Sequence, residues 1–226
     1  MTAKDRNYYT ARRDDLVHFV PGDARRVLEI GCGTGLTGKA IKETRGGSVE
    51  VVGVEREPDV AGGAAANIDR VIVGDVETLT LPYENYFDCA IYGDVLEHLI
   101  DPWGVLRRHR EALRQNGVAI ASIPNISHYR VIKMLRNNIW SYSDSGVLDR
   151  SHLRFFTLAS MREMFEKAGF VVTAVRRKMS ASKAKKALNA LLFGAISESL
   201  TEQYIVVARK SYSAAKKTCS DRMFRV

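Results

Sequence analysis

Val27-Leu28-Glu29-Ile30-Gly31-Cys32-Gly33-Thr34-Gly35 is the stretch whose reading decides the fold. An apolar run with a single acid stops at three alternating glycines, and a segment of helical pattern follows. Glycine has no Cβ, so it tolerates positive φ and lets the backbone pass close to a ligand. A strand that ends in such a loop and opens a helix forms a nucleotide site on the carboxyl edge of a sheet.

The composition bounds the rest. The chain has 226 residues, 46% of them hydrophobic, which suits one domain with insertions and a sizeable core. No apolar run approaches the ~20 residues that span a bilayer. Met1–Arg6 lacks the apolar region of a signal peptide, so a cytoplasmic location is the expectation. Cys32, Cys89 and Cys219 are odd in number and widely spaced, which suggests a reducing compartment and no zinc site; the five histidines show no ligand spacing, so no metal is expected. The net charge of +8 is uneven: residues 1–175 carry −1 and residues 176–226 carry +9.

Strand-like and helix-like segments alternate. Strands are expected over Arg26–Ile30, Val49–Glu55, Val71–Val73, Phe87–Tyr92 and Val118–Ile123. Between them, helices are expected over Thr34–Thr44 (stopped by Gly46-Gly47), from Pro58 to about Ile68, and over Asp101–Gln115, with Asn116-Gly117 as its stop. This rhythm predicts an α/β fold with a mostly parallel sheet covered on both faces. The last two strands, Phe170–Arg176 and Gln203–Ala208, have no ordinary crossover between them.

Glu29-x-Gly31-x-Gly33-x-Gly35 resembles the first motif of class I S-adenosylmethionine (SAM)-dependent methyltransferases. A competing reading is Gly33-x-Gly35-x-x-Gly38, with Glu55 about 20 residues on, which satisfies the dinucleotide fingerprint. That fingerprint would begin three residues after the strand ends, and it leaves Glu29 without a role. The cationic amino group of a methionine moiety would favour a carboxylate there. The resemblance covers roughly residues 8 to 209. It implies a Rossmann-like fold of seven strands in the order 3-2-1-4-5-7-6, ending in an antiparallel pair, and S-adenosyl-L-methionine as cofactor.

Residue by residue, the resemblance places the cofactor along the strand ends. Glu29, Gly31, Cys32, Gly33, Gly35 and Leu36 belong to the first loop, and Glu55 and Arg56 end the second strand, where a carboxylate accepts both ribose hydroxyls. Asp75 resembles the group that takes the adenine amino hydrogen, with Val76 packed on the ring. Gly93-Asp94-Val95-Leu96-Glu97-His98-Leu99 looks like the segment that passes the methionine moiety in small-molecule methyltransferases. His98 reads there as a structural hydrogen-bonder. In the N-terminal segment, Tyr9 could face the sulfonium and Arg12 could reach the methionine carboxylate; a helix that packs its tyrosines on the sheet edge explains the same residues.

The acceptor side falls in an insertion over residues 124–160. Asp149-Arg150-Ser151-His152-Leu153-Arg154-Phe155-Phe156-Thr157 resembles a run in methyltransferases of sugars, quinone precursors and other secondary metabolites. A hydroxyl acceptor must lose a proton, and a histidine suits that task. His152 and His128 are the candidates; hydrogen bonding that pins the insertion to the sheet is the other explanation for His152. The absence of an Asn-Pro-Pro-Tyr type tetrapeptide after the fourth strand argues against amino-methylation of bases, and nucleic acid is not the expected partner. The expectation is O-methylation of a small-molecule acceptor. Its alternatives are an NAD(P)-binding oxidoreductase, for which Tyr129 and Lys133 have the spacing of a hydride-site pair, and a non-catalytic SAM-binding module.

Residues 178–200 form a second insertion. Leu188, Leu191, Leu192 and Ile196 recur at helical spacing after Lys183, Lys185 and Lys186, which predicts one basic amphipathic helix within Ser180–Ser199. Packing on the body or in a homodimer is favoured over docking on a membrane surface. The basic tail, residues 210–226, is expected to be flexible.

Overall fold

The computed structural model describes residues 9–180 and 182–211. Seven strands make one sheet: β1 (Arg26–Ile30), β2 (Glu50–Glu55), β3 (Arg70–Val73), β4 (Phe87–Gly93), β5 (Leu113–Pro124), β6 (Phe170–Met179) and β7 (Thr201–Lys210). Their order is β3-β2-β1-β4-β5-β7-β6. The five strands of the first half pair in parallel, whereas β7 runs antiparallel to both β5 and β6. This is the Rossmann-like architecture of the class I methyltransferases.

Alternation along the strands builds two cores. Leu28, Ile30, Val52, Val54, Ala90 and Tyr92 face one side, where α4 (Pro102–Ala112) and α6 (Leu158–Lys167) cover them. Val27, Val51, Cys89 and Ile91 face the other, beneath α1 (Asp14–Val17) and α2 (Leu36–Thr44). A third helix, α3 (Pro58–Ala64), follows β2 with proline in its first turn. Because residues alternate with period two, Glu29 points to the α2 side with Val27.

Several element boundaries differ from the sequence reading: α3 stops at Ala64, short of Ile68, and three further differences have a visible cause. α2 starts at Leu36, not Thr34, because Gly35 sits in the left-handed region at φ 76° and the chain turns into the helix only after it. α4 ends at Ala112, and the chain enters β5 directly at Leu113, which pairs with Phe87. Asn116-Gly117 therefore lies in an irregular stretch of strand, with Asn116 at φ 64°, and does not stop a helix. The burial of Leu113 outweighs local helix propensity here. The helix expected within Ser180–Ser199 is broken into α7 (Lys183–Leu191) and α8 (Ser197–Leu200). Phe193 and Gly194 carry positive φ between them, and Phe193 is fully exposed at that bend. α5 (Tyr129–Arg136) precedes the acceptor-side loops.

The start of β1 is anchored from β4. The buried Asp88 carboxylate accepts from the backbone N–H of Arg25 and of Arg26, and pairs with Arg114 at 2.7 Å. Asp88→Ala removes these acceptors and is expected to cost ~2–3 kcal/mol. Urea unfolding should show this as a lower midpoint at unchanged slope. Among the described residues, no helix is long and apolar enough to cross a membrane. Residues 1–8 and 212–226, which hold Asn7, Tyr8, Cys219 and nearly all of the basic tail, lie outside the described residues.

Candidate active site

A cavity of about 790 Å³ opens at the carboxyl edge of the sheet. It is lined by the ends of β1, β2 and β4, the loop after β3, the N-terminal segment and part of the acceptor-side insertion. Of the residues assigned to the cofactor from sequence, Tyr9, Glu29, Gly31, Cys32, Gly33, Glu55, Arg56, Asp75, Val76, Gly93 and Asp94 all line this cavity.

The glycine loop is shaped for close approach. Gly31 lies at φ 68° and Gly33 at φ 53°. A Cβ on Gly31 would stand 2.7 Å from a methyl of Val95, and one on Gly33 would stand 2.5 Å from the carbonyl oxygen of Tyr9. Every N–H of the loop is used inside the protein. Gly31 and Cys32 donate to the Val54 carbonyl, Gly33 to Glu55, Thr34 to the Tyr9 carbonyl and Gly35 to the Cys32 carbonyl. None is left to cradle a pyrophosphate, so the loop does not have the donor set of a dinucleotide site.

Glu55 is the hub of the loop. Its buried carboxylate accepts from Gly33 N at 2.9 Å, Arg56 N at 2.8 Å and Glu57 N at 3.1 Å. A carboxylate has about four acceptor sites, so capacity for one hydroxyl donor remains, on Oε2. Asp75 closes its own turn by accepting from Glu77 N, and its carboxylate lies 3.9 Å from the Arg56 guanidinium.

Glu29 tests the fit to a methionine ammonium. One of its carboxylate oxygens, Oε2, is buried without a hydrogen-bond partner, and burial pushes the acid up to about 8, against hydrogen bonds from Thr37 and Gly38 that pull it down. A buried acceptor without a donor is costly unless a ligand supplies one. The residues present thus fit S-adenosyl-L-methionine: Glu29 for its ammonium, Glu55 for its ribose and Asp75 for its adenine. Binding a cation beside Glu29 should ionise it. S-Adenosylhomocysteine binding is then expected to release most of a proton near neutral pH and progressively less as pH rises through about 8, because the free acid is protonated below its raised pKa. Calorimetry in buffers of differing ionisation enthalpy measures that release. For the same reason the stability contributed by this acid falls as pH rises from its ordinary 4.5 towards 8, where the folded state gives up its proton.

Several assignments are corrected by the structure. Arg12 does not line the cavity; it pairs on the surface with Asp14 at 2.7 Å and with Glu43 at 3.2 Å. Its neighbour Arg13 turns inward, bonding Asp94, Asp15 and the Ser122 hydroxyl. The short helix α1 follows at once and sets which of the two adjacent arginines faces the sheet. Gly35 and Leu36 lie behind the lining, with Gly35 close-packed against Ala64. Cys32 keeps its place in the lining; its side chain packs under Gly53 as a small apolar group, and burial pushes its thiol up. His128 caps the start of α5, buried, with Nε2 unpartnered and its ring against Tyr129; it is not part of the cavity wall. His152 is also outside the lining, whereas His98, which the sequence reading left without chemistry, is part of it.

His98 and His152 nevertheless meet, with ring centroids 4.8 Å apart. The N–H groups of Leu153 and Arg154 donate to the Glu97 carbonyl, and the Arg154 guanidinium donates to the Ile100 carbonyl. These bonds fold the insertion back onto the turn Leu96–His98, bringing together residues 54 positions apart. Asp144, Asp149, Arg150, Ser151 and Leu153 then form the far wall of the cavity. The signal for this wall was the Asp149–Thr157 run; nothing in the sequence marked Arg13, Thr37 or Glu77, which face the same space.

Comparison with known proteins agrees with this fold. The ubiquinone biosynthesis O-methyltransferase of Cereibacter sphaeroides is 26% identical over 168 residues, covering 69% of this chain but only 64% of that protein's length. The protein of the same name from Azorhizobium caulinodans is 34% identical over 127 residues, 50% of this chain and 49% of its own. A SAM-dependent methyltransferase structure from Archaeoglobus fulgidus superposes with a TM-score of 0.61 at 18% identity, covering 91% of this chain and 94% of that one. The family model described as a methyltransferase domain matches residues 3–175, so the chain belongs to the SAM-dependent methyltransferases.

Proposed function

We propose that the chain methylates a hydroxyl of a small molecule, such as a sugar, a glycan precursor or another secondary metabolite, by in-line displacement. The observation that carries this reading is the continuity of the cavity. It runs from the cofactor residues Glu55 and Asp75 to His98 and the wall of the acceptor-side insertion. S-Adenosyl-L-methionine, when bound, supplies an activated methyl group. The preference for oxygen draws on the names of the curated relatives.

The chain's own residues have three tasks. Gly31 and Gly33 bring backbone close, so that Glu29 and Glu55 fix the cofactor's orientation. Tyr9, Leu99 and Leu153 limit water around the reacting centre, which strengthens every polar contact inside. His98, backed by His152, stands at the acceptor end and activates the hydroxyl; His128, walled off from the cavity, has no part in this. An acceptor held within ~3–3.5 Å of the methyl gains most from such positioning.

The test is product analysis. Purified full-length chain is incubated with the methyl donor and a panel of sugars, nucleotide sugars, catechols and primary amines. The expected result is a product heavier by one methylene whose methyl signal in NMR is that of an ether. Methylation of amines alone would overturn the reading.

A further inference from the structure

A row of rings leads outward from the acceptor end of the cavity. The His98 and His152 ring centroids lie 4.8 Å apart, those of His152 and Phe155 6.5 Å, of Phe155 and Trp140 5.6 Å, and of Trp140 and Tyr142 6.1 Å. Each pair meets edge to face, the arrangement that aromatic quadrupoles favour at such spacings. The row starts buried and ends in solvent: His152 is 9% exposed, Trp140 42% and Tyr142 53%. Core packing accounts for the inner rings. It does not account for two large aromatic side chains held in the open beside a cavity, and a contiguous apolar patch of that kind marks a binding surface.

The backbone ties this platform to the cavity wall. The Ser143 N–H donates to the Leu148 carbonyl and the Arg150 N–H to the Ser143 carbonyl, so residues 142–144 run alongside 148–150. Asp144 and Arg150, paired at 2.8 Å, belong to that wall. A guanidinium has five N–H donors, so Arg150 keeps donors for hydroxyl oxygens beyond its pairing with Asp144. Trp140 and Tyr142 thus present apolar rings next to a polar wall. A pyranose has the matching sides: a face of polarised C–H groups, which the negative face of an aromatic ring attracts, and a rim of hydroxyls. An anionic lipid surface fits less well, because Asp144 and Asp149 put negative charge beside the platform.

We propose that Trp140 and Tyr142 form an outer carbohydrate subsite, stacking against the second sugar of a glycan acceptor whose first sugar occupies the cavity. The place of the first sugar rests on the O-methylation reading; stacking at the platform does not. The selectivity that follows is for length. An acceptor of two or more sugars gains the contact, and a single sugar does not.

A glycan microarray probed with the full-length chain in the presence of S-adenosylhomocysteine tests this. The expected result is binding to glycans of two or more sugars, weakened at least ~10-fold in Trp140→Ala and in Tyr142→Ala, the order of one lost aromatic stacking contact. Phe193→Ala, at an exposed position of the other insertion, is expected to leave binding unchanged. Titration with a glycan that binds should also change the tryptophan fluorescence. Trp140→Phe keeps an aromatic face, so it should retain binding while losing that change; a change that persists comes from Trp103, the other tryptophan, and defeats the stacking assignment. No glycan binding, or binding that Trp140→Ala and Tyr142→Ala leave intact, would overturn the proposal. So would vesicles of phosphatidylglycerol and phosphatidylcholine that need both side chains for binding, with no response to glycans. The two readings fail separately. Ether products from glycans that Trp140→Ala makes as the unmutated chain does defeat the subsite alone, and glycan binding that needs Trp140 without any ether product from sugars defeats the methylation reading alone.

Discussion

Glu55→Ala is expected to weaken S-adenosylhomocysteine binding by ~10–100-fold, since a charged hydrogen bond from a ribose hydroxyl worth ~1.5–3 kcal/mol is lost. A second consequence adds to the first. The same carboxylate holds the backbone N–H groups of Gly33, Arg56 and Glu57, and without it the glycine loop loses its shape. Glu55→Gln separates the two effects. Its carbonyl oxygen can keep the Arg56 and Glu57 N–H groups, while its amide nitrogen takes the place of the oxygen that accepts from Gly33 and has no acceptor left for a hydroxyl, so folding should survive while most of the affinity goes. Calorimetry reads the affinity and thermal melting reads the fold. A loss of less than tenfold in Glu55→Ala would show that the ribose is held elsewhere.

The second large effect is expected at Gly33. Left-handed backbone costs an ordinary L-residue ~1–2 kcal/mol. Here the added Cβ would also meet the Tyr9 carbonyl oxygen at 2.5 Å, a backbone atom that moves only if the whole N-terminal segment moves. Gly33→Ala should therefore lower stability by ~2–3 kcal/mol, and should cut S-adenosylhomocysteine affinity by ~100-fold or more because Gly33 N is the donor that orients Glu55. Gly46→Ala is the control. Gly46 has φ 60°, but a Cβ there meets nothing within 4 Å, so only the conformational cost applies and the affinity should stay as it is. Equal losses in both variants would mean that backbone strain alone, and no close approach at the cofactor, explains Gly33.

That Glu29, Glu55 and Asp75 would face one cavity was legible in the sequence because each sits at or just after a strand end, where period-two alternation and turn residues fix position within a residue or so. The glycine loop was legible because only glycine accommodates three left-handed residues so close together. The Arg12–Arg13 pair was not, since a one-residue choice depends on how α1 turns into the sheet. The extent of α4 was misread because Asn116-Gly117 looks the same in a helix stop as in an irregular strand. The single helix expected in the second insertion failed at Phe193-Gly194, where apolar spacing continues through a break in the backbone.

Taken by itself, the sequence determined the α/β alternation and the sheet edge that carries the polar strand ends, which follow from local periodicity and from residues that act where they stand along the chain; the strand order came from the resemblance to class I methyltransferases. The tertiary structure alone decided which histidines share a site. His98 and His152 come together because the Glu97 carbonyl takes the N–H groups of Leu153 and Arg154, and no spacing along the chain encodes a contact closed by backbone hydrogen bonds between distant segments.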